Sequence, residues 1–226
     1  MILGNYSLNL KSLIRFFFLL IILNLLTTLL LDVLANEGWL IYNSHPSVIS
    51  FKEASGFQSK IFMAISAVIV FPIVEEISFR WFLVNRGKSI VLGVSCFISL
   101  FLSMVISSIW GAFNSEFGFL TLFFLIFFIL RYTIVNKALE QVTGFIIKIV
   151  DQHLYLWIAF TSLAFSIIHW RVTATPTTLI AYPVVFLPYF VSSLVYSFAR
   201  IKNGVSGSII LHAAFNTLVL SLNMLV

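Results

Sequence analysis

Seven runs of about twenty mostly apolar residues follow one another along the chain. They lie near residues 13–34, 61–84, 89–110, 117–135, 154–175, 178–199 and 205–226. Twenty apolar residues are what a helix needs to cross a hydrocarbon core of about 30 Å. Lipid offers no partner to backbone N–H and C=O groups, so each run must bond internally as a helix. The chain has 226 residues, 61% hydrophobic and 9% charged, where a soluble domain is about 25% charged. The sequence therefore predicts an all-α fold: a polytopic membrane bundle of about seven transmembrane helices, forming one domain over residues 1–226.

Between the fourth and fifth runs, Ile134, Ala138, Leu139, Val142, Ile146 and Ile149 recur at helical spacing, with Lys137, Glu140, Gln141 and Lys148 on the other face. This pattern fits a helix lying in the membrane interface, with a re-entrant hairpin as the alternative. The first run is too long for a signal-peptide core and no small-residue cleavage site follows it, so it is read as a span. The single cysteine, Cys96, excludes an internal disulfide and a cysteine metal cluster.

The net charge of +5 is spread between the apolar runs rather than gathered in a patch. It reads as topology, not as a nucleic-acid footprint. With the N-terminus in the cytoplasm, the inner segments carry Lys11, Arg15, Arg86, Lys88, Arg131, Lys137, Lys148, Arg200 and Lys202. The outer segments carry Lys52, Lys60 and Arg171. Nine against three, leaving out Arg80, predicts an inside N-terminus and an outside C-terminus. The expected location is a bacterial cell (inner) membrane.

Against this apolar background a few residues stand out. "FPIVEEISFRWF" puts Glu75, Glu76 and Arg80 inside the second run, where each charge costs roughly 2.5–3.5 kcal/mol on insertion scales. "FSIIH" places Phe165 and His169 in the fifth run, and "HAAFN" places His212 and Asn216 in the seventh. Glu76 and Arg80 are four apart and share a helix face, as do His212 and Asn216. Glu75 points about 100° away from Glu76 and can face another helix.

Taken singly, each has a structural explanation: a paired charge, a hydrogen-bonded histidine, an interhelical amide. Together, a carboxylate, two imidazoles and a carboxamide on three spans suit hydrolysis. A carboxylate and an imidazole can deprotonate a shared water, while an imidazole and an amide N–H can stabilise an oxyanion. The same carboxylate and two histidines, Glu75, His169 and His212, are also a ligand set for catalytic zinc. No HExxH motif is present, so metal is compatible with the sequence rather than demanded by it. A serine elbow GxSxG is absent, and the two aspartates, Asp32 and Asp151, lie at segment ends. A proton-coupled transporter would also use buried carboxylates and histidines, but shows repeated halves, and none is visible.

In order along the chain, "EEISFR" fits EExxxR, "FSIIH" fits FxxxH and "HAAFN" fits HxxxN. This pattern resembles the CPBP family of intramembrane proteases, which includes CAAX prenyl endopeptidases and bacteriocin-processing or self-immunity proteins. The resemblance covers residues from about 61 to 226. It implies that Glu75 and His169 activate water, that His212 and Asn216 form the oxyanion site, and that Glu76, Arg80 and Phe165 support them. It implies a membrane-associated peptide or protein substrate, prenylated CAAX-type or a bacteriocin or leader, cut without a tightly bound metal. A non-catalytic immunity or binding protein, or a proton-coupled transporter, is the alternative.

Two features depart from the family pattern. Trp81 follows the motif arginine where a small residue is usual, and 94 positions separate Glu75 from His169. Residues 89–135 therefore read as a two-helix insertion. At 1.5 Å per residue, Glu75 lies roughly 15 Å, His212 about 10 Å and His169 about 22 Å from the inner ends of their runs. For these side chains to meet, the fifth span must tilt or begin later than residue 154.

Overall fold

A computed structural model describes residues 8–42, 57–80, 83, 86–109, 116–133, 148–169 and 174–225. The elements are α1 (Leu10–Asn36), β1 (Leu40–Tyr42), α2, α3 (Arg86–Ile109), α4 (Glu116–Thr133), α5 (Leu154–His169), β2 (Ala174–Pro176) and α6 (Tyr182–Leu225). Helix α2 is built in three pieces: Phe57–Ile65, a π-helical turn Ser66–Val70, and Phe71–Arg80. Among the described residues, three helices are long and apolar enough to cross a membrane: Leu10–Asn36, Lys60–Arg80 and Tyr182–Leu222. The helical bundle expected from the sequence is the fold found. Most of the expected interfacial helix, 134–147, and Trp81 lie outside the described residues.

The sixth and seventh spans form one element. Helix α6 is interrupted only at Gly204, whose φ of 72° and ψ of −172° are non-helical. The side chains of Tyr196 and His212, sixteen positions apart, nevertheless stack with ring centroids 4.3 Å apart. On a straight helix they would be about 24 Å apart. The chain therefore doubles back at a single glycine, and arms 182–203 and 205–225 lie side by side. The sequence "RIKNG" reads as a loop of several residues; its first four residues are helical instead.

The fifth span ends at His169, six residues before the expected boundary. Thr175 precedes Pro176, a position that disfavours helical backbone, and residues 174–176 pair antiparallel with β1, Leu40 opposite Pro176. This small sheet was not foreseen. It rests on the end of α1, which terminates at Gly38 (φ 74°) with Trp39 N–H bonded back to the Leu34 carbonyl. That reverse turn closes a helix whose other end is capped by the Asn9 side chain on Ser12 N–H.

Packing is layered along the bundle. At one end Leu83, Val150 and Ile158 gather with Trp157, Leu194, Ile201 and Val205. Helix α5 begins at Leu154, so a later membrane entry is not what brings His169 to Glu75. The middle of the bundle holds two apolar clusters. Leu13 and Leu20 of α1 pack on Val195, Tyr196, Ala199 and Leu211 of both α6 arms. Val74, Phe79, Cys96, Leu100, Phe123 and Phe165 join α2, α3, α4 and α5. On α3, Ser95, Ser99 and Ser103 are fully buried at four-residue spacing, a small-residue face that lets helices approach closely in lipid.

Candidate active site

Three helices deliver the motif side chains to one point. Glu75 comes from the last two turns of α2, His169 is the last residue of α5, and His212 lies on the second arm of α6. The Glu75 carboxylate sits between the imidazoles. Its Oε1 is 3.4 Å from His169 Nε2, and its Oε2 is 3.6 Å from His212 Nε2. Helical spacing left Glu75 without an obvious partner; its partners come from two other helices.

Hydrogen bonds fix which nitrogen faces the carboxylate. His169 Nδ1 is 2.8 Å from the Phe165 carbonyl oxygen. A carbonyl only accepts, so Nδ1 carries the hydrogen and Nε2 presents a lone pair when the ring is neutral. His212 Nδ1 is 3.2 Å from Glu76 Oε1, again an acceptor. Both neutral rings thus turn Nε2 lone pairs toward Glu75. Acceptors gathered in this way call for a hydrogen-bond donor between them.

Glu76 and Arg80 form the floor. Arg80 Nη1 donates to Glu76 Oε1 at 2.6 Å, and neither side chain has any exposed surface. The remaining guanidinium hydrogens reach the first arm of α6: Nη2 to Ser193 Oγ at 2.6 Å and to the Ser193 carbonyl at 3.3 Å, and Nε to Ser197 Oγ at 3.2 Å. Arg80 also faces two aromatic rings, with Cζ 5.3 Å from the Phe165 centroid and 5.4 Å from that of Tyr196. Such cation–π contacts are worth about 2 kcal/mol when desolvated.

The aromatic rings hold the imidazoles as well. His169 is sandwiched between Phe165, at 4.3 Å, and Tyr189, at 5.0 Å, and His212 stacks on Tyr196. Phe165 therefore touches His169 and Arg80 at once, and its edge meets Phe79. Tyr189, Ser193, Tyr196, Ser197 and Arg200 were not singled out in the sequence. Their spacing of four, three, one and three residues puts them on one side of the helix, a polar stripe within a span that could have been found.

Asn216 is placed differently from the others. Its Nδ2 donates to the Ala67 carbonyl at 2.9 Å. Ala67 lies in the π-helical turn of α2, where carbonyls lose their usual partner four residues on. The second amide hydrogen of Asn216 remains for another acceptor.

The exposure is uneven. His169 is 23% exposed and Glu75 13%, whereas His212 is 5% exposed. An incoming group therefore meets Glu75 from the His169 side. The donor types at the site are those of catalytic zinc, yet among the described residues no three His, Cys, Asp or Glu side chains are arranged to hold a metal ion.

Residues 123–218 match the family described as Type II CAAX prenyl endopeptidase Rce1-like. The resemblance to the CPBP proteases is borne out. No curated protein and no solved structure matches the chain. The matched segment carries Phe165, His169, Tyr196, Arg200, His212 and Asn216. Glu75, Glu76 and Arg80 lie outside it, and join the same site through the distances above. The matched family is a protease family, which supports a CAAX-type intramembrane protease in general, and this chain's own long apolar helices support an integral membrane protein.

Proposed function

We propose that the chain is an intramembrane endopeptidase in which Glu75 and His169 hold and deprotonate a water molecule. The observation that carries this reading is the convergence of two Nε2 lone pairs on one carboxylate, which the tautomer-fixing bonds of Phe165 and Glu76 support. A water between Glu75 and His169 finds an acceptor for each hydrogen and keeps its oxygen lone pairs for attack. That oxygen adds to the substrate carbonyl carbon while its proton passes to the Glu75 carboxylate. The oxyanion forms beside Asn216, whose second amide hydrogen is offered to it; His212 joins as a donor only as an imidazolium, because the neutral ring spends its Nδ1 hydrogen on Glu76. The proton held by Glu75 then moves to the departing amine as the C–N bond breaks.

The substrate is a membrane-associated peptide or protein, prenylated CAAX-type or a leader or bacteriocin. It reaches the site from the more open His169 side. The reading includes a bacterial cell membrane, a cytoplasmic N-terminus and no tightly bound metal, with α3 and α4 inserted between the first and second motifs.

The test compares peptide termini in membrane fractions from cells carrying wild type and Glu75→Gln at matched abundance. Loss of a general base costs ~10²- to 10⁴-fold, so termini produced by the wild type should vanish in the variant. Identical termini in both, with the variant still supporting any phenotype, would favour the non-catalytic immunity or binding protein.

A further inference from the structure

Arg200 reads in the sequence as one of nine inner basic residues, but the structure does not leave it at the surface. It is 2% exposed, and its Nη1 donates to the Glu76 backbone carbonyl at 2.7 Å. Its Nε is buried with no hydrogen-bond partner. The topology bias is reduced to eight against three by this correction, and a second buried guanidinium is added beside the site.

Burying a guanidinium is costly unless an opposite charge lies near. A single backbone carbonyl is a weak reason to hold one there. The charge inventory supplies a better one. Arg80 is committed to Glu76 at 2.6 Å. With both imidazoles in the neutral tautomers described above, neither balances the charge of Glu75. Two carboxylates and one arginine would leave the cluster negative; Arg200 makes it neutral. Its contact point has a second consequence. The Glu76 carbonyl belongs to the residue after Glu75, so gripping it restrains the rotation of the last turns of α2. That rotation aims Glu75 at the histidines and Glu76 at His212. Arg200 also lies four residues before the Gly204 reversal, tying α2 to the point where the arms of α6 separate.

We infer that Arg200 is a positioning residue of this site, holding the α2 backbone at Glu76 and balancing the second carboxylate; the inference rests on the peptidase reading for its effect on cleavage. Two measurements on the full-length protein test it. The first is thermal unfolding in detergent of Arg200→Met, Glu76→Gln and the double variant. Arg200 donates to the Glu76 backbone carbonyl, which Glu76→Gln retains, so coupling between the two reports charge. The double variant should lose less in Tm than the two single losses combined. Strict additivity, or a greater loss, would overturn the charge role.

The second measurement counts new membrane termini per folded protein. Arg200→Met should fall more than tenfold, and Arg200→Lys should stay within about threefold of the wild type. Undiminished cleavage by folded Arg200→Met would overturn the positioning role. If the wild type itself produces no termini, the peptidase reading fails, and the unfolding measurement still decides whether Arg200 balances the carboxylates.

Discussion

The Arg80 guanidinium shows how a charge is made tolerable at membrane depth. It meets a carboxylate, two serine hydroxyls, a carbonyl and two aromatic faces, all from within the protein. Arg80→Ala removes the cation and leaves Glu76, with no exposed surface, as a buried anion. Breaking such a pair costs about 3–5 kcal/mol, so the variant should show a large drop in unfolding midpoint in detergent and reduced abundance in membranes. Arg80→Lys should recover little, because a point charge cannot reach along the fork's separate directions. A normal midpoint for Arg80→Ala would show that the pair does not stabilise the fold. The sequence revealed this pair because charges stand out in an apolar run and a spacing of four shares a helix face. Arg200 was harder to read. A basic residue near the end of a span looks the same whether it points to water or turns inward, and only the packing of α2 against α6 distinguishes the two.

At the scale of elements, the reversal at Gly204 determines where His212 and Tyr196 can meet. Its φ of 72° with ψ near 180° lies in a region open essentially to glycine. Gly204→Ala should cost ~1–3 kcal/mol, read as a lower unfolding midpoint. Gly38 offers the contrast. It also has a positive φ, but nothing lies within 4 Å of where a Cβ would stand, so Gly38→Ala should cost only about 1 kcal/mol, from backbone conformation. Equal and negligible effects at both sites would mean that the reversal tolerates other backbone geometries. Spans were legible because a hydropathy run has one plausible structure in lipid. The three-residue strands were not, since neither is long enough to show a period. The π-helical turn was likewise hidden, because Ser66–Val70 has no distinguishing composition; what marks it is the Asn216 amide meeting the Ala67 carbonyl.

For the whole molecule, the direction of the bundle decides from which side a substrate reaches Glu75. Even without Arg200, the remaining basic residues favour a cytoplasmic N-terminus. Lys202, at the α6 reversal, and Thr178, between β2 and α6, are both exposed and lie at opposite ends of the first α6 arm. The chain has one native cysteine, Cys96, which is buried, so Cys96→Ser gives a simple background for labelling. In intact cells, Thr178→Cys should react with a membrane-impermeant maleimide, and Lys202→Cys should react only after the membrane is opened. In that orientation His169 lies at the outer end of α5, and the exposed side of the site opens toward the outer half of the bilayer. The reverse labelling pattern would place the N-terminus outside. The same open side would then face the cytoplasmic half, favouring a substrate that comes from that face, as a prenylated cytoplasmic protein does.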